Sequence, residues 1–336
     1  MAQPSFSFVI PVYNRPDEVQ ELLASMKQLI YNEPFEIVLV EDGSQEDSSA
    51  VVATFNEHLT ISYYQKPNTG PGDSRNYGMR KAKGDYFIIL DSDCLLPPHY
   101  LEEVTKELET KYVHCFGGPD AAHPSFSVVQ KAIDFVMTSF LTTGGLRGNT
   151  KVVNTFQPRS FNMGISKEAF LKTKGFGNIH PGEDPDLSFR IWKAGYETRL
   201  FPKAFVYHKR RIDWKKFYTQ VKKFGMVRPI LNKWHAGTAK LTYWFPSLFS
   251  IGFLVAIVTA LLWHPLLLWG YGVYFLVLFI TAAVKTKSLQ VASYALCAVL
   301  IQFFGYGYGF LKSTILVNFS NRTPEALFPN LFFKRS

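Results

Sequence analysis

Cysteine is scarce in this chain: Cys94, Cys115 and Cys297 are the only three in 336 residues. They stand far apart, without metal-ligand or redox spacing, which excludes a disulfide framework and a dithiol centre. Met1-Ala2-Gln3-Pro4 offers no charged lead and no apolar run before a cleavage site. No signal peptide is expected, and the first domain is expected to stay in the cytoplasm. A glycine fingerprint is missing as well. The first apolar run ends in Pro11-Val12-Tyr13-Asn14, where Gly-x-Gly-x-x-Gly would be needed for close approach of a pyrophosphate, so a dinucleotide fold is disfavoured.

Charge is missing from one region only. Between residues 241 and 311 the charged residues are Lys285 and Lys287, so the mean hydropathy of zero averages two unlike parts. Three apolar segments stand out there, near 243–263, 266–284 and 289–311. Each is about 20 residues, roughly 30 Å as a helix, which matches the depth of a bilayer core. Spans of this length without a polar face are hard to hide in a soluble fold of this size, so they are read as membrane helices.

Acidic residues are also scarce beside those spans. Residues 203–240 hold 11 Lys and Arg against one acid, Asp213, whereas 1–202 carry 25 acids against 19 bases. A basic juxtamembrane stretch is drawn to anionic headgroups and marks the cytoplasmic face, so the net charge of +9 argues for a lipid bilayer as partner and not for nucleic acid. Within it, Trp214, Phe217, Tyr218, Val221 and Phe224 recur at helical spacing, with Lys215, Lys216, Lys222 and Lys223 opposite. That pattern suits a helix in the membrane interface or one packed on the preceding domain. The chain thus divides into a first domain over 1–212, a basic amphipathic linker over 213–240 and a membrane region over 241–336. With the first domain inside, the uncharged His264-Pro265 turn is outside and Lys285-Thr286-Lys287 inside. Lys312, Arg322, Lys334 and Arg335 would then resist export by a third span, which leaves that segment open to a break at Gly305, Gly307 or Gly309.

Residues 1–212 read as strands alternating with helices: strands near 5–12, 35–40, 60–64 and 86–90, helices over 16–30, 47–56 and 73–82. That alternation predicts an α/β fold with a doubly wound, mostly parallel sheet. The run Tyr86-Phe87-Ile88-Ile89-Leu90 leads straight into Asp91-Ser92-Asp93. Ligands of open α/β sheets sit beyond the carboxyl ends of the strands, where Asp91 and Asp93 can hold a divalent cation against a phosphate; on these residues alone a turn or a helix cap is the preferred reading. A helix over 97–111 and a strand over 113–116 follow. Residues 120–150 stay unassigned: a helix over 127–141, then a glycine-bearing stretch over 142–148 that is either linkage or an acceptor loop.

In order and approximate spacing, Val9-Ile10-Pro11-Val12-Tyr13-Asn14, Glu41-Asp42-Gly43-Ser44, Asn68-Thr69-Gly70, Ser74-Arg75-Asn76-Tyr77-Gly78 and Asp91-Ser92-Asp93 resemble the family 2 glycosyltransferases, nucleotide-diphospho-sugar transferases of the GT-A type. The likeness runs over about residues 5–208. A second signature follows in the loop at 161–170 and in Pro181-Gly182-Glu183-Asp184, which opens a helix ending near Gly195. The resemblance implies that Pro11 and Tyr13 line the base pocket, Asp42 accepts from the base, and Arg75 and Asp91 face the nucleotide. It implies Asp184, with Glu183, as the catalytic acidic pair, and Asp93, Asp91 and His208 as ligands of Mg²⁺ or Mn²⁺. Glu183 and Asp184 would equally complement a helix dipole.

The expectation is a multi-pass cell-membrane enzyme with its catalytic domain in the cytoplasm. It would invert a nucleotide-diphospho-sugar onto a hydroxyl of a membrane lipid or lipid-linked acceptor. A processive polysaccharide synthase is the first rival; the Gln-x-x-Arg-Trp run of such enzymes finds only Gln220-Val221-Lys222-Lys223-Phe224 here. A catalytically silent nucleotide-sugar-binding scaffold is the second.

Overall fold

The computed structural model describes residues 4–121, 126–144, 156–208 and 213–333. These form two compact units, one of residues 4–121, 156–208 and 332–333, the other of 126–144 and 213–331. In the first, β1 (Phe6–Val12), α1 (Pro16–Met26), β2 (Phe35–Asp42), α2 (Ser49–Ala53), β3 (Ile61–Lys66), α3 (Pro71–Lys81) and β4 (Tyr86–Leu90) alternate as the apolar pattern predicts. β5 (Cys94–Leu95), α4 (Tyr100–Thr110), β6 (Cys115–Gly117) and β7 (Asp120–Ala121) follow. The chain gives α5 (Val128–Thr138) and α6 (Phe140–Thr143) to the second unit. It then returns as β8 (Asn162–Ser166), α7 (Lys167–Thr173), α8 (Glu183–Lys193), β9 (Thr198–Leu200) and β10 (Val206–His208).

The seven-stranded sheet has the order β3-β2-β1-β4-β8-β6-β9. All neighbours are parallel except β8, which runs against both β4 and β6. This is the α/β, doubly wound, mostly parallel architecture that the alternation predicts. Phe6, Phe8, Tyr86, Tyr100 and Phe116 are almost fully buried in one core cluster, each large side chain contributing about 1.5–3 kcal/mol on burial. Two expectations are corrected. β2 runs on through Glu41 to Asp42, because its ladder with β3 continues to the pair Asp42 and Lys66. Residues 162–166 are a strand, not part of a loop: all five are buried, but Asn162, Gly164 and Ser166 interrupt the apolar run that marks such a strand, and Gly164 sits where any methyl would strike the Phe116 ring.

The second unit adds α9 (Trp214–Trp234), α10 (Phe245–Leu262), α11 (Leu266–Thr286), α12 (Leu289–Phe319) and α13 (Pro324–Leu327). Three stretches are long and apolar enough to cross a membrane: Leu241–Leu262, Leu266–Thr286 and Leu289–Phe319. α12 is one unbroken helix of 31 residues, about 46 Å at 1.5 Å per residue, so the three glycines do not break it. They admit neighbours instead. A methyl at Gly305 would lie 2.8 Å from Val221 Cγ2, and methyls at Gly309 and Gly225 would strike the carbonyls of Lys222 and Tyr306; this is how small residues let two helix backbones meet. The apolar face of α9 is therefore packed on α12, with Phe217 and Val221 in the same cluster as Ala298 and Phe303. Ala132, Ile133 and Val136 of α5 join that cluster. The single helix expected over 127–141 turns at Ser139. Of the glycine-bearing stretch, residues 145–148 fall outside the described residues.

Candidate active site

Each sequence-derived site residue on the sheet falls at or just past a strand's carboxyl end. Pro11, next to last in β1, is half-buried, and Tyr13 just past the strand is 51% exposed, an aromatic face open to solvent. At the end of β2 both acids are buried. Glu41 is consumed by the loop it starts: Ser44 Oγ donates to one oxygen and the Ser48 amide to the other. Asp42 accepts from Lys66 Nζ (2.6 Å) and the Thr69 amide (2.9 Å) on Oδ1, and from the Gly70 amide (2.9 Å) on Oδ2. Since each carboxylate oxygen can accept about two hydrogen bonds, Oδ2 keeps capacity for one more donor. Glu41, Gly43, Ser44, Asp47, Gln65 and Lys66 line a pocket beside it. Lys66 went unnoticed in the sequence; its only signal was its register opposite Asp42.

Arg75 projects from α3 with only 4% of its side chain exposed. Its Nη2 donates to Asp91 Oδ1 (2.8 Å) and its Nη1 to Glu183 Oε1 (3.3 Å). One guanidinium thus joins the end of β4 to the start of α8. The two aspartates of Asp91-Ser92-Asp93 consequently part company. Asp91 turns to Arg75, while Asp93 Oδ1 lies 3.0 Å from His208 Nε2. The small three-stranded sheet makes that second meeting, because β10 pairs with β5 so that His208 faces Cys94. Asp93, Cys94 and His208 place one ligand atom each within 4.8 Å of one another. Asp93 Oδ1 is buried and receives no hydrogen bond, as a carboxylate oxygen suited to a hard cation would be. Cys94 fits less well: burial pushes its thiol well above the usual range, and its Sγ donates to Phe161 O (3.5 Å). Asp91 is not in that group.

At the mouth of α8 the acidic pair diverges in character. Glu183 is buried; burial alone would raise its pKa, but His180 Nδ1 at 2.8 Å and Arg75 hold it ionised. Asp184 is pushed up to about 6, first by burial and then by the Glu183 charge, with Arg75, Arg159 and the Ser160 hydroxyl opposing. Its Oδ1 is buried and has no hydrogen-bond partner. Such a carboxylate can take a proton near neutral pH, whereas Glu183 is committed to its cations. Arg159 and Ser160 had no sequence signal and gain a role only by proximity in space, whereas His180 stands three residues before Glu183, a local spacing that went unread.

This geometry can be set beside known proteins. Residues 7–172 match the family model "Glycosyl transferase family 2". They are a family 2 glycosyltransferase domain. An uncharacterized glycosyltransferase of Haemophilus influenzae is 35% identical over 192 residues, covering 55% of this chain and 61% of its own length. The hyaluronan synthase of Pasteurella multocida is 32% identical over 236 residues, covering 60% of this chain and 24% of its own. The chain spans between 15% and 61% of the length of such curated relatives. Among solved structures, the mannosyltransferase PcManGT of Pyrobaculum calidifontis, in complex with GDP-Man and Mn²⁺, superposes with a TM-score of 0.58 at 17% identity. That match covers 96% of this chain and 89% of the other. Residues 1–349 of S. aureus TarS, in complex with UDP-GlcNAc, give a TM-score of 0.52 at 15% identity over 92% and 91% of the two chains. Both likenesses show the GT-A fold of the glycosyltransferase domain.

Proposed function

We propose that the chain is an inverting, membrane-anchored glycosyltransferase moving a sugar from a nucleotide-diphospho-sugar to a hydroxyl of a lipid or lipid-linked acceptor. The observation that supports this reading is the Arg75 bridge, which ties Asp91 at a strand end to Glu183, the neighbour of Asp184. The base would lie against Pro11 and Tyr13, with a ring N–H donating to the remaining acceptor of Asp42. Asp93 and His208 would hold Mg²⁺ or Mn²⁺, the cation in the PcManGT complex being Mn²⁺. Such a cation supplies charge neutralisation for the departing diphosphate. Asp184 takes the proton of the acceptor hydroxyl as its oxygen attacks the anomeric carbon from the face opposite the diphosphate. The new C–O bond forms as the old one breaks, and the nucleoside diphosphate leaves with the electron pair. Glu183, fixed by Arg75 and His180, keeps the start of α8 in place.

In the membrane region, α10 and α11 are the spans favoured to cross, with the catalytic unit on the cytoplasmic side where the basic residues cluster. Residues 332–333 fold into the same unit as residues 4–121. Lys312 and Arg322 beyond the apolar part of α12 support a segment that does not carry them across. The synthase reading has a relative in its favour, but Gln220-Val221-Lys222-Lys223-Phe224 belongs to the helix that packs on α12: Val221 is buried and faces Gly305.

The test uses the purified full chain in lipid nanodiscs, a panel of UDP-, GDP- and dTDP-sugars, and membrane lipid extract as acceptor. Donor-dependent release of nucleoside diphosphate, lost in chelator and in Asp93→Asn with the fold intact, is the expected result. Donor binding without release would replace the enzyme by a scaffold, and a ladder of product lengths would replace single transfer by polymerisation.

A further inference from the structure

Residues 332 and 333 make a specific contact that the reading above does not use. The Phe333 amide donates to Asn178 O (3.0 Å), and Phe332 pairs as an antiparallel bridge with Ile179. They add a rung to the loop that leads into α8. The Phe333 side chain, half-buried, lies against Gly70 so closely that a methyl there would collide with its ring. Gly70 has φ +94°, a conformation that favours glycine, and its amide is a donor to Asp42. On its other side the ring centroid is 6.0 Å from that of His180, tilted by 54°, and His180 is the partner of Glu183. One aromatic side chain therefore touches two loops, one holding Asp42 and the other holding Glu183.

We propose that Phe333 is a positioning residue for the nucleotide, clamping loop 68–70 to loop 178–180 so that Asp42 keeps its geometry. A core aromatic could be buried anywhere in this unit. Here it sits at the surface, joined to the loops that shape the crevice, through a segment far along the chain. That the ligand is a nucleoside diphosphate rests on the proposed function; the clamp itself does not.

Two readouts on the full chain keep these apart. Hydrogen exchange at the amides of 68–72 and 178–180 reports the clamp whatever the ligand, and titration with UDP and GDP in Mn²⁺ reports its consequence. Phe333→Ala, and a chain ending at Leu331, are expected to speed exchange at both loops. They are also expected to raise the nucleotide Kd and donor KM about ten- to a hundredfold, as small misplacements do, while kcat at saturating donor changes little. Phe333→Leu, which keeps apolar bulk, restores most of the affinity and guards against a variant that fails to fold. Unchanged exchange at 68–72 overturns the clamp, as does a loss of kcat alongside the rise in KM and a fall in the thermal midpoint, or tighter nucleotide binding, which would make the ring a plug. Faster exchange with no nucleotide binding even by the wild type leaves the clamp standing and overturns the proposed function.

Discussion

Arg75 and Glu183 are 108 residues apart in the chain and 3.3 Å apart in the fold, with the same guanidinium also on Asp91. Two carboxylates from different elements thereby depend on one cation. Removing one member of a buried pair leaves the other uncompensated, at a cost of about 3–5 kcal/mol.

Arg75→Lys is the discriminating substitution, because an ammonium keeps the charge but cannot span both carboxylates as a planar fork does. Turnover is expected to fall about 10²-fold from misplacement of the start of α8, with a measurable loss in thermal midpoint. Arg75→Ala should cost more in both. Equal midpoints for Lys and Ala would show that charge without the fork contributes nothing, whereas a Lys midpoint equal to the wild type's would show the bridge to be dispensable.

Asp184 should separate chemistry from binding. With its pKa pushed up to about 6, the base form is lost as pH falls through 6, so turnover should rise with pH across that value. Asp184→Asn is expected to lower turnover about 10²- to 10⁴-fold and abolish that limb of the profile, with donor affinity nearly unchanged. The stability sign is opposite to that of a salt-bridged carboxylate. A raised folded pKa means that the native state binds more protons than the unfolded chain between about pH 4 and 6, so this group's contribution to stability falls as pH rises through that window. Above pH 6 the Asn variant is therefore expected to be the more stable, by about 1–3 kcal/mol. Thermal midpoints at pH 5 and 8 check it; a less stable variant at pH 8 would give Asp184 a structural role.

The membrane topology has a direct readout. In a chain lacking its native cysteines, a cysteine at His264 is expected to react with a membrane-impermeant maleimide from outside intact cells, and one at Phe319 or Glu325 only after lysis. Reaction of all three from outside would mean that α12 crosses.

Local pattern carried a large part of this protein. The alternation of apolar runs specified β1 to β4 and their helices, because a buried parallel strand must be apolar along its whole length. The uncharged stretch specified three helices long and apolar enough to cross a membrane, because a bilayer imposes a length. The ordered motifs singled out Asp42, Asp91 and Asp93 at or just past strand ends and Arg75 within α3, and the family resemblance added Asp184 and His208. Partnership was a different matter. Asp91 and Asp93, two residues apart, look like one ligand pair, yet one turns to Arg75 and the other to His208. β8 was hidden because Asn162, Gly164 and Ser166 interrupt any apolar run although all are buried, and Gly305, Gly307 and Gly309 read as a break until α9 was seen against two of them. Lys66 and Phe333 were silent for a common reason. A side chain's charge state and hydrogen bonds depend on what lies within a few ångströms, and register, crossover and chain return bring those neighbours from tens or hundreds of residues away, where no local pattern records them.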